Sequence, residues 1–146
     1  GISMKAKTTK TRDVFIITAS DAANLIRAEL PVEQKEERVF VLPLDANGKV
    51  LAKPIVVSTG HEDGTATIDP GTIFREAFKA GAEEIIVAHN HPSGDPTPSK
   101  ADAVVTKRLK DAAKLVGLTF IDHLIIGSPD SANGLGFWSM AEESAV

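Results

Sequence analysis

Short apolar segments alternate along this chain with segments of helical periodicity, which restricts it to folds in which helices pack against a β-sheet. Residues 39–44, 85–89 and 118–126 are predicted to be strands because branched aliphatic and aromatic side chains dominate them. The Asn-Gly dipeptide at 47–48 is typical of a hairpin turn, which pairs the first strand with a returning strand in residues 50–57. We therefore expect a mixed sheet that contains an antiparallel pair.

Three amphipathic helices are predicted between and beside these strands. In each of them, apolar residues recur every three or four positions, which leaves one face to be buried against the sheet. A capping residue precedes each helix, and a proline or a glycine follows it. The start and stop signals are Ser20 and Pro31 for the first helix, Asp69-Pro70 and Gly81 for the second, and Ser99 and Gly117 for the third.

The length of 146 residues matches one domain with one core. We expect residues 20–140 to form that domain, as a single-domain α/β sandwich with a mixed sheet that ends in an edge strand at 137–140. Residues 1–19 are interpreted as a polar leader, whose residues 1–3 are expected to be an expression scar. Residues 141–146 are expected to fray.

The composition limits the types of catalytic site and of binding partner that we expect for this chain. The chain has no cysteine, which excludes disulfides and a thiol nucleophile and leaves histidine and carboxylate side chains as zinc ligands. The formal net charge of −4 gives no basic surplus for nucleic acid, so tight DNA binding by this chain alone is disfavoured. No apolar run approaches a membrane span and no secretory signal is visible, so we expect a cytoplasmic protein without a membrane partner.

The residues that carry chemistry are concentrated at positions 89–102. His89 and His91 lie two positions apart at the end of a predicted strand, so both imidazoles project from the same face. The connection at 92–98, rich in proline and glycine, turns the chain back and brings Asp102 to them from the first turn of the next helix. Two imidazoles and one carboxylate leave a fourth tetrahedral position for water, as in catalytic zinc sites. We therefore predict one zinc ion per chain.

Two interpretations of the helix start remain open. Ser99 and Asp102 fit the S-x-x-D capping box, in which both side chains only satisfy backbone donors. A cap and a metal ligand can also coexist at such a position. Asp95 lies near His91 as an alternative ligand, but Asp102 has the spacing of the motif.

Other polar residues have two interpretations each. His61, which precedes Glu62 and Asp63, is either an exposed loop residue or part of a cleft. His123 is predicted to be a strand residue whose ring is hydrogen bonded, in a position to support a metal ligand from behind. Several basic residues of the third helix either contact phosphates or form a solvated face: Lys107, Arg108, Lys110 and Lys114.

The spacing of these residues resembles a known family. H-x-H-P at His89, followed by S-x-x-D at Ser99 with ten residues between His91 and Asp102, resembles the JAMM motif of the JAB1/MPN metalloproteases. The longer string HNHPSGDPTPS resembles the bacterial RadC branch of that family. The resemblance implies a cytidine-deaminase-like α/β/α sandwich, the MPN/JAMM architecture. It also implies that His89, His91 and Asp102 are zinc ligands.

The resemblance further implies two residues that act on the substrate. Ser99 would be the hydroxyl that helps to hold the developing oxyanion, and a glutamate upstream would be the general base. Alignment of the strand at 39–45 places that glutamate at Glu37. Its neighbour Glu36 is the alternative, and because successive residues of a strand face opposite sides, only one of the two can point at the metal.

Three functions follow as hypotheses. The first is a zinc-dependent hydrolase that cleaves a peptide or isopeptide bond of a peptide or protein substrate. The second is a RadC-like protein of DNA repair or recombination that acts on or binds DNA, and the third is a non-catalytic MPN-like interaction module. The intact ligand set argues against the third, and the absence of a basic surplus makes nucleic acid the weaker partner. Nothing in the sequence indicates an oligomeric state.

Overall fold

The computed structural model describes residues 12–61 and 68–144, in which strands and helices alternate. The elements are α1 (Ala19–Arg27), β1 (Glu36–Leu44), β2 (Ile55–His61), α2 (Pro70–Lys79), β3 (Glu84–Asn90), α3 (Lys100–Val116), β4 (Thr119–Ile126), α4 (Ser131–Gly134), β5 (Phe137–Ser139) and α5 (Met140–Ser144). The strands form one sheet in the order β2-β1-β3-β4-β5. β3 and β4 are parallel and the other neighbouring pairs are antiparallel, so the sheet is mixed, as predicted.

Helices cover both faces of this sheet. The strands alternate their side chains, so that Phe40 and Leu42 of β1 face one side while Val39 and Val41 face the other. On the first side the core includes Ala22, Ala23 and Ile26 of α1, and on the second it includes Ile73, Phe74 and Ala77 of α2 with Leu109 and Ala113 of α3. The predicted α/β/α sandwich with a mixed sheet is therefore confirmed.

The start of α1 differs from the prediction. The N-cap is Thr18 rather than Ser20, because Thr18 and Asp21 satisfy one another's backbone N–H groups in a capping box. Ser20 has Ala23 three residues later and so lacks the acidic partner. The other two starts, at Asp69 and Ser99, are as predicted.

The second strand also differs from its predicted position. Val50 makes only an isolated bridge to Leu44, and the continuous strand β2 begins at Ile55 and ends at His61. Pro54 directly precedes β2 and has no N–H to donate, which is a physical reason for the ladder to begin after it. β1 begins at Glu36, three residues before the predicted strand, and this places both candidate glutamates in the sheet.

The carboxyl-terminal residues are more ordered than expected. β5 confirms the predicted edge strand, but a short helix, α5, forms from Met140 to Ser144 where fraying was expected. The buried carboxylate of Asp122 explains the difference, because it accepts hydrogen bonds from the Ser139 hydroxyl and the Ala141 N–H at the start of α5. Residues 145–146, and residues 1–11 of the predicted leader, lie outside the described residues. Within the described ranges, no helix is long and apolar enough to cross a membrane.

Candidate metal centre

His89, His91 and Asp102 meet where β3 ends and α3 begins. The two Nε2 atoms of the histidines are 3.2 Å apart. Oδ1 of Asp102 lies 3.3 Å from Nε2 of His89, and Oδ2 of Asp102 lies 3.3 Å from Nε2 of His91. The His89 side chain is fully buried, whereas those of His91 and Asp102 are 21% and 14% exposed. The structure thus brings the three predicted ligands together, with access from the side of His91.

The donor atoms have the spacing that a tetrahedral metal ion requires. With metal–ligand bonds of about 2.0–2.1 Å, two ligand atoms of a tetrahedron are separated by about 3.3 Å. The three separations in this cluster are 3.2, 3.3 and 3.3 Å. Nδ1 of His91 donates to the carbonyl oxygen of Asp95, so the neutral ring presents its lone pair at Nε2, on the side of the cluster. The residues present therefore fit a metal ion.

Asp95 does not offer its carboxylate to the cluster. Its Oδ1 accepts hydrogen bonds from the N–H and the hydroxyl of Thr97, and only its backbone carbonyl contacts His91. Gly94, in the same connection, has a φ of 93°, a conformation that favours glycine. The connection therefore orients His91, and the carboxylate that reaches both histidines is that of Asp102.

Asp102 is a capping residue as well as a member of the cluster. Its Oδ2 accepts the N–H of Ser99, and the Ser99 hydroxyl oxygen accepts the N–H of Asp102, so the predicted capping box is present. Burial opposes the charge on Asp102, but hydrogen bonds from His89, His91 and the Ser99 N–H outweigh it and hold the pKa of Asp102 well below its usual range. The capping interpretation is therefore confirmed, and the same carboxylate belongs to the group that could hold a metal ion.

Glu37 lies beside the cluster and Glu36 does not. Oε1 of Glu37 is 3.9 Å from Nε2 of His89, and the Glu37 side chain is 12% exposed. The Glu36 side chain is 53% exposed and approaches Arg38 at 3.9 Å. Burial is the largest cause that raises the pKa of Glu37, and the imidazoles of His89 and His91, when protonated, oppose that rise. Glu37, which was predicted from the sequence as the general base, thus lies next to the cluster of His89, His91 and Asp102.

Asn90 holds the segment that carries Glu37. The main-chain ladder between β1 and β3 ends at the pair Val39–His89. Beyond it, the buried amide of Asn90 accepts a hydrogen bond from the N–H of Arg38 and donates one to the carbonyl of Glu36, at 2.7 and 3.0 Å. No role of Asn90 in holding this segment was predicted from the sequence. The available signal was its place between two histidines of a strand, where it must face the opposite side of the sheet.

His123 lies directly behind His89. Its ring is fully buried, with Nε2 2.8 Å from Nδ1 of His89 and Nδ1 2.6 Å from the hydroxyl oxygen of Thr106. Burial is the largest cause that lowers the pKa of His123 to about 3, so this ring is neutral near pH 7. The hydrogen-bonded ring was predicted, but Thr106 was not. Its only signal in the sequence is its place one helical turn after Asp102.

Two further candidates are less informative. The side chain of His61 and residues 62–67, which include Glu62 and Asp63, lie outside the described residues. On α3, Lys107 is paired with Asp111 at 3.0 Å, and both side chains are largely exposed. This pairing fits the interpretation of a solvated helix face rather than a phosphate-binding one.

Comparison with known proteins agrees with this geometry. The family model of the RadC-like JAB domain matches residues 16–145. A UPF0758 protein of Clostridium perfringens is 41% identical over 121 residues, which are 83% of this chain and 52% of that protein. A UPF0758 protein of Carboxydothermus hydrogenoformans is 42% identical over 111 residues, which are 76% of this chain and 48% of that protein.

A third relative, a UPF0758 protein of Clostridium botulinum, is 36% identical over 135 residues, which are 92% of this chain and 55% of that protein. The chain thus spans about half the length of the curated relatives it matches. The family model, in contrast, covers nearly all of the chain, including every residue of the cluster and its surroundings. This chain therefore belongs to the family of RadC-like JAB domains.

Proposed function

We propose that this domain is a zinc-dependent hydrolase that cleaves a peptide or isopeptide bond. The observation that carries the proposal is the approach of a buried glutamate, Glu37, to a cluster of two imidazoles and one carboxylate with tetrahedral spacing. In a chain without cysteine, that donor set suits zinc, and three protein ligands leave the open position of a catalytic site. One zinc ion per chain is proposed.

The side chains around the cluster have complementary tasks. A zinc ion held by His89, His91 and Asp102 would supply Lewis-acid polarisation of the scissile carbonyl and a water that is nucleophilic near neutral pH. Glu37 takes a proton from the attacking water and returns it to the leaving amine. Its raised pKa supports this task, because a carboxylate of higher proton affinity is a better base.

Ser99 is proposed to stabilise the oxyanion that develops on the scissile carbonyl. In the capping box its oxygen accepts the N–H of Asp102, and this leaves the hydroxyl proton available for donation. A donor placed at a developing oxyanion contributes to the rate only as negative charge builds up, so Ser99 would affect turnover more than substrate binding.

The proposed substrate is a peptide or a protein. Access supports this, because the cluster is closed by the fully buried His89 on the inside and reached past the partly exposed His91 and Asp102 on the outside. A bond in an extended segment can approach such a site, which lies at the end of β3 and the start of α3. The formal net charge of −4 does not favour DNA as the substrate.

The test combines metal analysis with a cleavage screen. We expect elemental analysis of the purified chain to show about one zinc per chain, and zinc uptake to be lost in the His89→Ala, His91→Ala double variant. We expect cleavage products from a library of peptides and isopeptide-linked peptides, measured by mass spectrometry, and loss of those products with a chelator.

The matched controls are Glu37→Gln and Glu36→Gln. We expect Glu37→Gln to keep its zinc and its melting temperature and to lower turnover by orders of magnitude, because the glutamate moves protons and is not a ligand. Glu36→Gln, whose side chain is exposed beside Arg38, should behave as the wild type. Equal turnover in Glu37→Gln, or no cleavage by the zinc-loaded wild type, would contradict the proposal.

A further inference from the structure

A continuous chain of hydrogen bonds leads from His89 into the interior and returns to Asp102. Nδ1 of His89 is 2.8 Å from Nε2 of His123, and Nδ1 of His123 is 2.6 Å from the hydroxyl oxygen of Thr106. The Thr106 hydroxyl in turn lies 2.8 Å from the backbone carbonyl of Asp102, to which it can donate. The chain therefore begins at one residue of the metal cluster and ends at another, and it joins β3, β4 and α3.

The fold holds the two rings of this chain rigidly. His123 pairs with Val87 across the parallel strands β3 and β4, two pairs before the pair of His89 with Ile125. His89 and His123 are both fully buried, and their ring centroids are 4.9 Å apart. The hydrogen bond between the rings is thus set by strand register rather than by mobile side chains.

The number of available protons determines which atom donates in each hydrogen bond of this series. The carbonyl of Asp102 can only accept, so when the Thr106 hydroxyl donates its single proton there, its oxygen must accept from Nδ1–H of His123. A neutral imidazole carries one N–H, so Nε2 of His123 then accepts from Nδ1–H of His89. His89 is left with a lone pair at Nε2, the atom that faces His91 and Asp102.

The reverse direction is incompatible with metal binding. It places the proton of His89 on Nε2, where a metal ligand needs a lone pair. It also withdraws the Thr106 hydroxyl from the carbonyl of Asp102. Occupation of the cluster by a metal ion therefore requires all three hydrogen bonds to run in the same direction.

We propose that His123 and Thr106 are positioning residues that set His89 as its Nδ1–H tautomer and thereby raise the metal affinity of the cluster. This inference rests on the metal site of the proposed function. Ligating histidines commonly donate to a carboxylate or a backbone carbonyl, whereas here the acceptor is a second histidine whose own proton is fixed by a threonine. His123 and Thr106 are both uncharged, so they orient His89 without adding negative charge to the cluster.

The test measures zinc affinity by competition with a chromophoric chelator and does not depend on turnover. We expect Thr106→Val and His123→Phe to weaken zinc binding by about 10- to 100-fold, because each leaves a buried polar group of the chain without its partner. Thr106→Ser keeps the hydroxyl and should bind zinc nearly as the wild type does. Thr119→Val, at an exposed threonine of β4, makes the same chemical change away from the chain and should have no effect.

Nitrogen NMR of the wild-type imidazoles provides a second readout that needs no variant. In the zinc-loaded protein we expect a proton on Nδ1 of both His89 and His123. Unchanged zinc affinity in folded Thr106→Val and His123→Phe, or a proton on Nε2 of His123 in the zinc-loaded protein, would overturn this inference and leave the proposed hydrolase intact. Weakened zinc binding in both variants without any hydrolysis by the wild type would overturn the hydrolase alone. A wild type that takes up no zinc would overturn both.

Discussion

At the scale of single residues, Asp102 links the start of a helix to the metal cluster. One of its oxygens accepts the N–H of Ser99 and lies 3.3 Å from His91, while the other faces His89. A carboxylate that is already fixed by a cap loses little side-chain entropy when it binds a metal. The cap therefore preorganises the ligand rather than competing with it.

The pair of His91 and Asp102 predicts how the stability of the metal-free protein depends on pH. The hydrogen bond to Asp102 raises the pKa of His91 above 6.5, so the folded state binds this proton more tightly than the unfolded state does. The stabilisation is fully present below the unfolded value and is lost as the pH rises through the raised value. We expect the melting temperature in excess chelator to fall as the pH rises above the ordinary histidine value of about 6.5.

Two comparisons isolate this effect. His91→Gln should remove that part of the pH dependence, since glutamine does not titrate. In excess zinc the trend should reverse, because protons and metal compete for Nε2 of His91. A melting temperature in chelator that rises over the same range, or an identical profile in His91→Gln, would contradict the assignment.

The grouping of the three candidate ligands was predictable from the sequence because they lie within one short segment. His89, His91 and Asp102 are related by local spacing, and the turn-forming connection between them is visible in its prolines and glycines. Thr106 and Asn90 have their partners on other strands or depend on strand register, which no local pattern encodes. Glu37 differs from both cases, because it was placed by aligning residues 39–45 on the corresponding strand of the family that the chain resembles.

At the scale of elements, the first residues of β1 are held by a side chain of β3, because the main-chain ladder between the two strands does not extend that far. Asn90 takes the place of a strand backbone by accepting from Arg38 and donating to Glu36. Glu37 lies between these two anchored peptide groups, so its carboxylate is directed by main-chain bonds on either side.

Asn90→Ala should separate this role from metal binding. We expect the variant to lose about 1–3 kcal/mol of unfolding free energy, because two backbone groups lose their partner, and to lower turnover more than it raises KM. Zinc affinity should change little, since no ligand contacts the Asn90 amide. Asn24→Ala, on the exposed side of α1, is the control and should leave all three quantities unchanged. A loss of zinc affinity as large as the loss of turnover would contradict this role.

The elements also show where local patterns fail. The helix start at Ser99, with an acid three residues later, was predicted correctly. The start at Thr18 has the same pattern but was missed, because Ser20 was preferred as the capping residue. β2 was misplaced because its start depends on Pro54 and on a bulge between Val39 and Phe40, which are features of pairing. α5 was missed because its support, Asp122, lies on another strand.

At the scale of the whole molecule, net charge predicts weak binding of nucleic acid. With a formal charge of −4 and the Lys107–Asp111 pair on α3, we expect duplex DNA to bind weakly at low salt and not at about 0.15 M salt. Fluorescence anisotropy with a labelled duplex over a salt titration measures this. Nanomolar binding at the higher salt would favour a role on DNA over the hydrolase.

The two faces of the sheet carry residues with different roles: those of the candidate metal site on one face, and those that hold neighbouring elements in place on the other. His89 and His123 point to the side of α3, whereas their neighbours Asn90 and Asp122 point to the opposite side and hold β1 and α5 in place. Substitutions on the first side can remove the chemistry while the second side still maintains the fold. A relative of this domain can therefore lose the candidate metal site and persist as a folded scaffold that is open to selection for another function.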